Sequence, residues 1–154
     1  MFNMIVATDK NGVIGKNNSI PWGIIAEDMR RFRKLTVGNT VIMGRKTYES
    51  IEHALPRREN VVLSRNPSFH APNCRVESSV LNLVNNNYYN SRESFIIGGQ
   101  EIYKLFLPYT SKIYMTIIND EYEGDTFFPI NDLKNWRELR RADNEKMSFL
   151  TLIR

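Results

Sequence analysis

A single cysteine, Cys74, stands among the 154 residues. It has no partner for an intrachain disulfide, so cysteine usage gives no sign of an oxidising compartment. Histidine is equally scarce. His53 and His70 lie in no ligand spacing with Cys74, and metal chemistry finds no support. Long apolar runs are missing, and no segment approaches the ~20 residues of a membrane helix. The first residues, Met1-Phe2-Asn3-Met4-Ile5-Val6-Ala7-Thr8-Asp9, lack a basic start and have too short an apolar run for a signal peptide. Also absent are Gly-x-Ser-x-Gly, GxxxxGK[ST] and GxGxxG, which argues against a hydrolase elbow, a Walker loop and a Rossmann-type dinucleotide fold. The expectation from these absences is a cytoplasmic protein without metal or membrane partner.

What remains is an ordinary globular composition, 42% hydrophobic and 25% charged, in a length that suits one domain over residues 1–154. The net charge of +4 comes from 21 Lys+Arg against 17 Asp+Glu. It suits nucleic acid and a small polyanionic ligand equally, so the sign does not choose between them.

Short apolar runs recur between turn residues. Asn3–Thr8, Thr40–Gly44, Asn60–Ser64, Ser94–Gly98 and Lys112–Ile118 read as strands. Runs such as VIM, VVL and FII are apolar on both faces, the pattern of strands covered on both sides in a largely parallel sheet. Helical patterns over Ala26–Thr36, Arg45–Ile51, Val80–Asn86 and Gln100–Leu107 alternate with them, predicting an α/β domain. Met147–Arg154 reads as a further, antiparallel strand, and Asn85–Asn90 as a polar loop. The Gly- and Asn-rich stretch Asp9–Ile20 follows the first strand, at the edge where open α/β sheets bind ligands.

Two adjacent acids open the first helix. In a helix Asp28, Phe32 and Leu35 share a stripe, whereas Glu27 falls with Arg31 and Lys34 on a charged one. Acids in a first turn also simply complement the helix dipole, so position alone does not make either one a chemical group. Two strand-to-helix junctions follow a common plan: Met43-Gly44-Arg45-Lys46-Thr47, and Ile97-Gly98-Gly99-Gln100-Glu101. Free N–H groups at such a helix start, with cations beside them, suit phosphate. Arg57-Arg58 and Ser64-Arg65 add polar and cationic groups near the same edge, each equally readable as solvated surface.

In their order, these segments resemble dihydrofolate reductase. The matching pieces are IVATDKNGVIGKNNSIPW (5–22), the acid and Phe after it, TVIMGRKTYESI (40–51), LPRRENVVLSRNP (55–67), FIIGGQEIY (95–103) and IYMTIINDEYEGDTFFP (113–129). The resemblance implies a mostly parallel eight-stranded sheet flanked by helices, with dihydrofolate and NADPH sharing a cleft. It implies Asp28 as the only carboxylate in the pterin pocket, promoting protonation at N5, with Thr116 hydrogen-bonded to it and Trp22 holding a water beside it. Carbonyls of Ile5 and Ile97 would face the pterin amino group. Ala7, Met29, Phe32, Ile51 and Leu55 would line the apolar pocket, and Arg58 would grip the substrate's glutamate carboxylate.

On the cofactor side the resemblance implies Gly44, Arg45, Lys46 and Thr47, with Gly98, Gly99, Gln100 and Glu101, around the phosphates. Ser64 and Arg65 would take the 2′-phosphate. Ile14 and Ile20 would ride on a mobile loop over the nicotinamide, positioned by Asp125, with Ala7 and Tyr103 close by. Two places depart from the common family pattern. The acid is six residues after Trp22 with Ile25 where proline is common, and Arg57 stands where glycine is usual. No oligomerisation surface is readable, so the default expectation is a monomer, with no nucleic-acid partner. The competing expectations are an NADPH-dependent reductase of a pyrimidine intermediate, and a non-catalytic nucleotide- or RNA-binding protein.

Overall fold

The computed structural model describes residues 1–154. Its strands are β1 (Phe2–Thr8), β2 (Val13–Gly15), β3 (Thr40–Gly44), β4 (Glu59–Leu63), β5 (Arg75–Glu77), β6 (Ser94–Ile96), β7 (Thr110–Ile118), β8 (Thr126–Phe127), β9 (Arg137–Asp143) and β10 (Met147–Ile153). Its α-helices are α1 (Ala26–Thr36), α2 (Arg45–Ile51), α3 (Val80–Val84), α4 (Asn87–Asn90) and α5 (Gln100–Phe106). Eight strands form one sheet in the order β5-β4-β3-β6-β1-β7-β10-β9, while β2 and β8 make a separate ribbon. From β5 to β7 all neighbours run parallel; β10 and β9 close the sheet antiparallel. The mostly parallel eight-stranded sheet that the family resemblance implies is the one present.

Period-two alternation explains why the central strands are apolar throughout. Ile42, Val61, Met4 and Val6 join a core cluster of 17 buried residues, whereas Val41, Met43, Val62 and Ile5 join a second cluster of 6. Each strand thus supplies both faces of the sheet, and an alternating polar residue would have no water to face. Phe32 and Leu35 of α1 pack against the second cluster together with Ile51 and Leu55.

The structure departs from the sequence reading at several places. β9 was not expected: all seven of its residues are exposed, and only its ladder with β10 makes it a strand. The three-residue β5 and the short ribbon β2–β8 also lacked a periodic signal. Residues 85–90 are not simply a polar loop, since Asn87–Asn90 is helical and Tyr89 is fully buried in the large cluster. The third helix ends at Val84, and strands β4 and β6 end at Leu63 and Ile96, short of Ser64 and Gly98. Those last two differences free both segments to leave the sheet edge as loops.

Candidate active site

Helix α1 lays its first turn against β7. Asp28 is half-buried there, and Thr116 Oγ1 donates to its Oδ1 at 2.6 Å. Ala7 of β1 is the register partner of Thr116, so the acid faces two neighbouring strands. Burial pushes the Asp28 carboxyl above its ordinary value; the Thr116 hydrogen bond and the charge of Arg31 act in the opposite direction. Glu27 is exposed, with Asn144 Nδ2 3.1 Å from both of its carboxylate oxygens. The two acids of the first turn therefore occupy different environments, as the stripe argument expects.

Arg31 departs from the charged stripe that its spacing predicts. Arg31 is no exposed partner of Glu27: it is half-buried, with Nη1 donating to Met115 O (3.1 Å) and Thr116 Oγ1 (3.3 Å), and Nη2 to Leu150 O (3.0 Å). Its guanidinium lies 5.1 Å from the Phe149 ring centre and 5.8 Å from that of Tyr114. Sequence reasoning missed this residue because i+3 from Asp28 and i+4 from Glu27 are nearly equivalent on a helix surface.

Phe32, Ile51 and Leu55, three of the five expected apolar wall residues, pack against the second core cluster, where Ile5 and Ile97, expected through their carbonyls, also lie. Met29 is 40% exposed and takes no part in that cluster. The carbonyl of Ile5 accepts from Tyr103 Oη at 2.8 Å, which ties α5 to the same strand end. Tyr103 is buried, and burial, then the neighbouring Asp28 charge, pushes its hydroxyl far up. Trp22 is half-buried, its ring centre 5.6 Å from that of Tyr122.

At the far end of the wall, Arg58 is held in place. Its Nε donates to Pro56 O (2.9 Å), its Nη1 to Thr36 Oγ1 (3.0 Å), and its guanidinium stands 5.9 Å from the Phe32 ring centre. Burial, followed by Arg33 and Arg57, lowers its ordinary value, a sign of cations crowded at one place. Arg57 and Arg58 line a groove of about 570 Å³ with Arg92. Arg57 itself is exposed and sits at φ +60, in the left-handed region that favours glycine.

The two glycine junctions lie side by side. Gly44 N donates to Gly98 O at 2.9 Å, and Gly98–Gly99 is a cis peptide. A Cβ on Gly44 would clash with Ile102 Cγ1 at 2.9 Å, whereas Gly98 is required by its φ of +122, and a Cβ on it or on Gly99 would only touch the Thr47 hydroxyl at 3.6 or 3.5 Å. No side chain caps the N-terminus of α1, α2 or α5, whereas Ser79 caps α3 and Asn86 caps α4. The helix starts at this edge thus keep N–H donors for something other than the chain's own side chains.

Gly44 is the register partner of Leu63, so Arg45-Lys46 and Ser64-Arg65 leave the sheet from neighbouring positions. Lys46 and Arg65 are exposed, and Arg45 pairs at the surface with Glu49. Gln100 uses its Oε1 to accept from Phe127 N at 2.6 Å, while Glu101 points to solvent.

The Asp9–Ile20 loop is anchored at its base and tied near its tip. Asp9, 1% exposed, accepts from the backbone N–H of Asn11, Val13 and Tyr122 at 2.8–2.9 Å. Asp9 escaped the sequence reading, although an Asp two residues before Asn11-Gly12 can accept from the backbone N–H two residues on, a common turn signal. Asp125 Oδ2 accepts from Asn17 N (2.9 Å), and Lys16 pairs with Glu123 (2.8 Å). Ile14 is half-buried against the large cluster; Ile20 is 55% exposed.

A family model described as dihydrofolate reductase matches residues 1–152. The chain belongs to the dihydrofolate reductase family. It is 43% identical to a dihydrofolate reductase of Haemophilus influenzae over 99% of this chain and 98% of that one. Against a dihydrofolate reductase of Staphylococcus haemolyticus the identity is 43%, over 89% of this chain and 81% of that one. The solved structure of the dihydrofolate reductase from Enterococcus faecalis, complexed with NADP(H) and RAB-propyl, superposes with a TM-score of 0.91. That match, at 32% identity, covers 100% of this chain and 96% of the other. Family and fold bear out the expectation of an NADPH-dependent dihydrofolate reductase, and they lend nothing to the pyrimidine-reductase or RNA-binding alternatives. No helix of the chain is long and apolar enough to cross a membrane.

Proposed function

We propose that the chain reduces 7,8-dihydrofolate to 5,6,7,8-tetrahydrofolate with Asp28 as the acid that brings the proton to N5. The observation that carries this assignment is the half-buried Asp28 carboxyl, hydrogen-bonded to Thr116 beside an apolar wall. A carboxyl raised by burial keeps a proton nearer to neutral pH than an exposed one, which suits it to proton delivery. Protonation of the ring imine makes its carbon a far better hydride acceptor.

The residues at the glycine junctions fit a dinucleotide phosphate: uncapped helix starts supply N–H donors, and Gly44 leaves room where a Cβ would clash with Ile102. NADPH, when bound, supplies the hydride. Gly44, Arg45, Lys46 and Thr47, with Gly98, Gly99, Gln100 and Glu101, surround its phosphates, and Ser64 and Arg65 take the 2′-phosphate. Phe32, Ile51, Leu55, Met29 and Ala7 hold the pterin and exclude water, while the carbonyls of Ile5 and Ile97 fix its amino group. Arg58 anchors the glutamate carboxylate, and Trp22 holds the water that passes the proton. Ile14, Ile20 and Tyr103 close around the nicotinamide. The protein's work is alignment, dehydration and one proton.

This reading includes a single catalytic domain acting as a monomer in the cytoplasm, in support of one-carbon metabolism and thymidylate synthesis. Its test is the loss of absorbance at 340 nm on mixing protein, NADPH and dihydrofolate. A protein that binds RNA tightly and leaves NADPH unoxidised would sink it. Sedimentation at micromolar concentration tests the monomer.

A further inference from the structure

Arg31 reaches the acid through one intervening hydroxyl, and the arrangement has a direction. A hydroxyl has one hydrogen and two lone pairs. Thr116 Oγ1 receives Arg31 Nη1 at 3.3 Å and lies 2.6 Å from Asp28 Oδ1. With an N–H of Arg31 on one lone pair, the Thr116 hydrogen turns toward Asp28 Oδ1. The proton that Asp28 gains and loses is therefore carried on Oδ2.

The guanidinium is kept there by more than charge. Two backbone carbonyls, Met115 O and Leu150 O, accept from it, and the rings of Tyr114 and Phe149 flank it. Those contacts hold a cation in partial burial, where its field reaches Asp28 with little screening. The other groups around the acid do not duplicate it. Tyr103 of α5 is neutral, Tyr114 of β7 lies against Arg31 itself, Glu27 turns to Asn144, and Arg58 stands over Phe32.

We infer that Arg31 is a positioning residue of the reductase: it orients the Thr116 hydroxyl onto Asp28 and, by its charge, sets the pH range over which the acid delivers its proton. The inference rests on Asp28 being that acid. Removing the cation favours the protonated carboxyl, since a neighbouring arginine holds a carboxyl down by about one to three units.

The experiment is single-turnover hydride transfer across pH 5–9 for Arg31→Met, Arg31→Lys and Thr116→Val, with NADPH affinity measured for each as a check on folding. The midpoint of the pH–rate profile should rise by about one unit or more in Arg31→Met. Arg31→Lys, which keeps the charge, should restore most of that shift, and Thr116→Val should also move the midpoint upward. A merely structural role would lower the rate at every pH and leave the midpoint where it is, and that result overturns the inference. So does an Arg31→Lys profile displaced as far as that of Arg31→Met. Should Arg31→Met fail to bind NADPH, Arg31→Gln is judged by the same midpoint. Asp28→Asn serves as the control: if it lacks an acid-rescued loss, the assignment of the acid has failed rather than the role of Arg31.

Discussion

Replacing Asp28 by Asn tests the acid directly, because shape and the contact to Thr116 survive while the ionisable group goes. Thr116 Oγ1 can still donate to the amide oxygen, so the helix start should stay in place. Glu27, the adjacent carboxylate, is exposed and engaged with Asn144, and cannot substitute. The hydride step at neutral pH should then slow by the ~10²–10⁴ typical of a lost acid–base residue. Below neutral pH the solvent protonates the substrate itself, so the variant should regain about tenfold per pH unit, while the parent flattens once Asp28 is protonated. Glu27→Gln should stay near the parent, since an exposed polar pair contributes only ~0–1 kcal/mol. The assay is stopped-flow single turnover with NADPH and its deuterated form, whose isotope effect confirms that hydride transfer is observed. An Asp28→Asn enzyme within a few-fold of the parent at pH 7.5 would refute the reasoning. So would an acid-rescued loss in Glu27→Gln.

The same substitution has a stability signature. A carboxyl whose folded value lies above its unfolded one contributes stability at low pH that is lost as pH rises through the folded value. Asp28→Asn should therefore be more stable than the parent at pH 7, with the gap closing below about pH 4, as read by urea melts. Arg65→Ala should raise the KM for NADPH much more than that for NADH; equal effects would misplace the 2′-phosphate site. Arg58→Ala should weaken dihydrofolate while sparing dihydropterins without the glutamate tail, and Arg57→Ala should do neither in steady-state assays. Tyr89→Ala should cost about 3–5 kcal/mol in denaturant melts, the usual cost of emptying a buried aromatic site. A loss under 1 kcal/mol would show that α4 is not built into the core.

The bounds of β3, α1 and α2 coincide with the sequence reading because local and tertiary signals agree there. A two-sided apolar run ends in Gly44, and a helical stripe begins at once. β9 was illegible for the opposite reason: Arg137–Asp143 has no apolar alternation, and its strand form comes from the partner β10. Tyr89 sits in a tract of asparagines, and only the packing of distant strands makes its burial intelligible. At the site, Asp28 was readable from the company of Phe32 and Leu35. Arg31 was not, because its long stem lets a residue between two stripes choose either side. The phosphate edge was visible as two glycine junctions, yet their contact, Gly44 N to Gly98 O, joins residues 54 apart and leaves no trace in local pattern.

The loop over residues 9–20 has a graded stiffness along its length. At its base a carboxylate is sealed from water with three backbone donors, and releasing it would strand a buried charge, at a cost of several kcal/mol. Near its tip the ties are exposed, and the pair Lys16–Glu123, with Glu123 89% exposed, lies within the ~0–1 kcal/mol of surface ion pairs. Between base and tip the β2–β8 ribbon adds backbone bonds, so the exposed side-chain ties are the easiest part of the loop to release and the Asp9 base the hardest. The loop is also held from far along the chain. Residues 122–125 hold both base and tip, so a substitution there alters how the loop is tied down without touching the loop or the acid. Raising the ionic strength weakens the Lys16–Glu123 pair at the tip and leaves the sealed contacts of Asp9 as the fold made them.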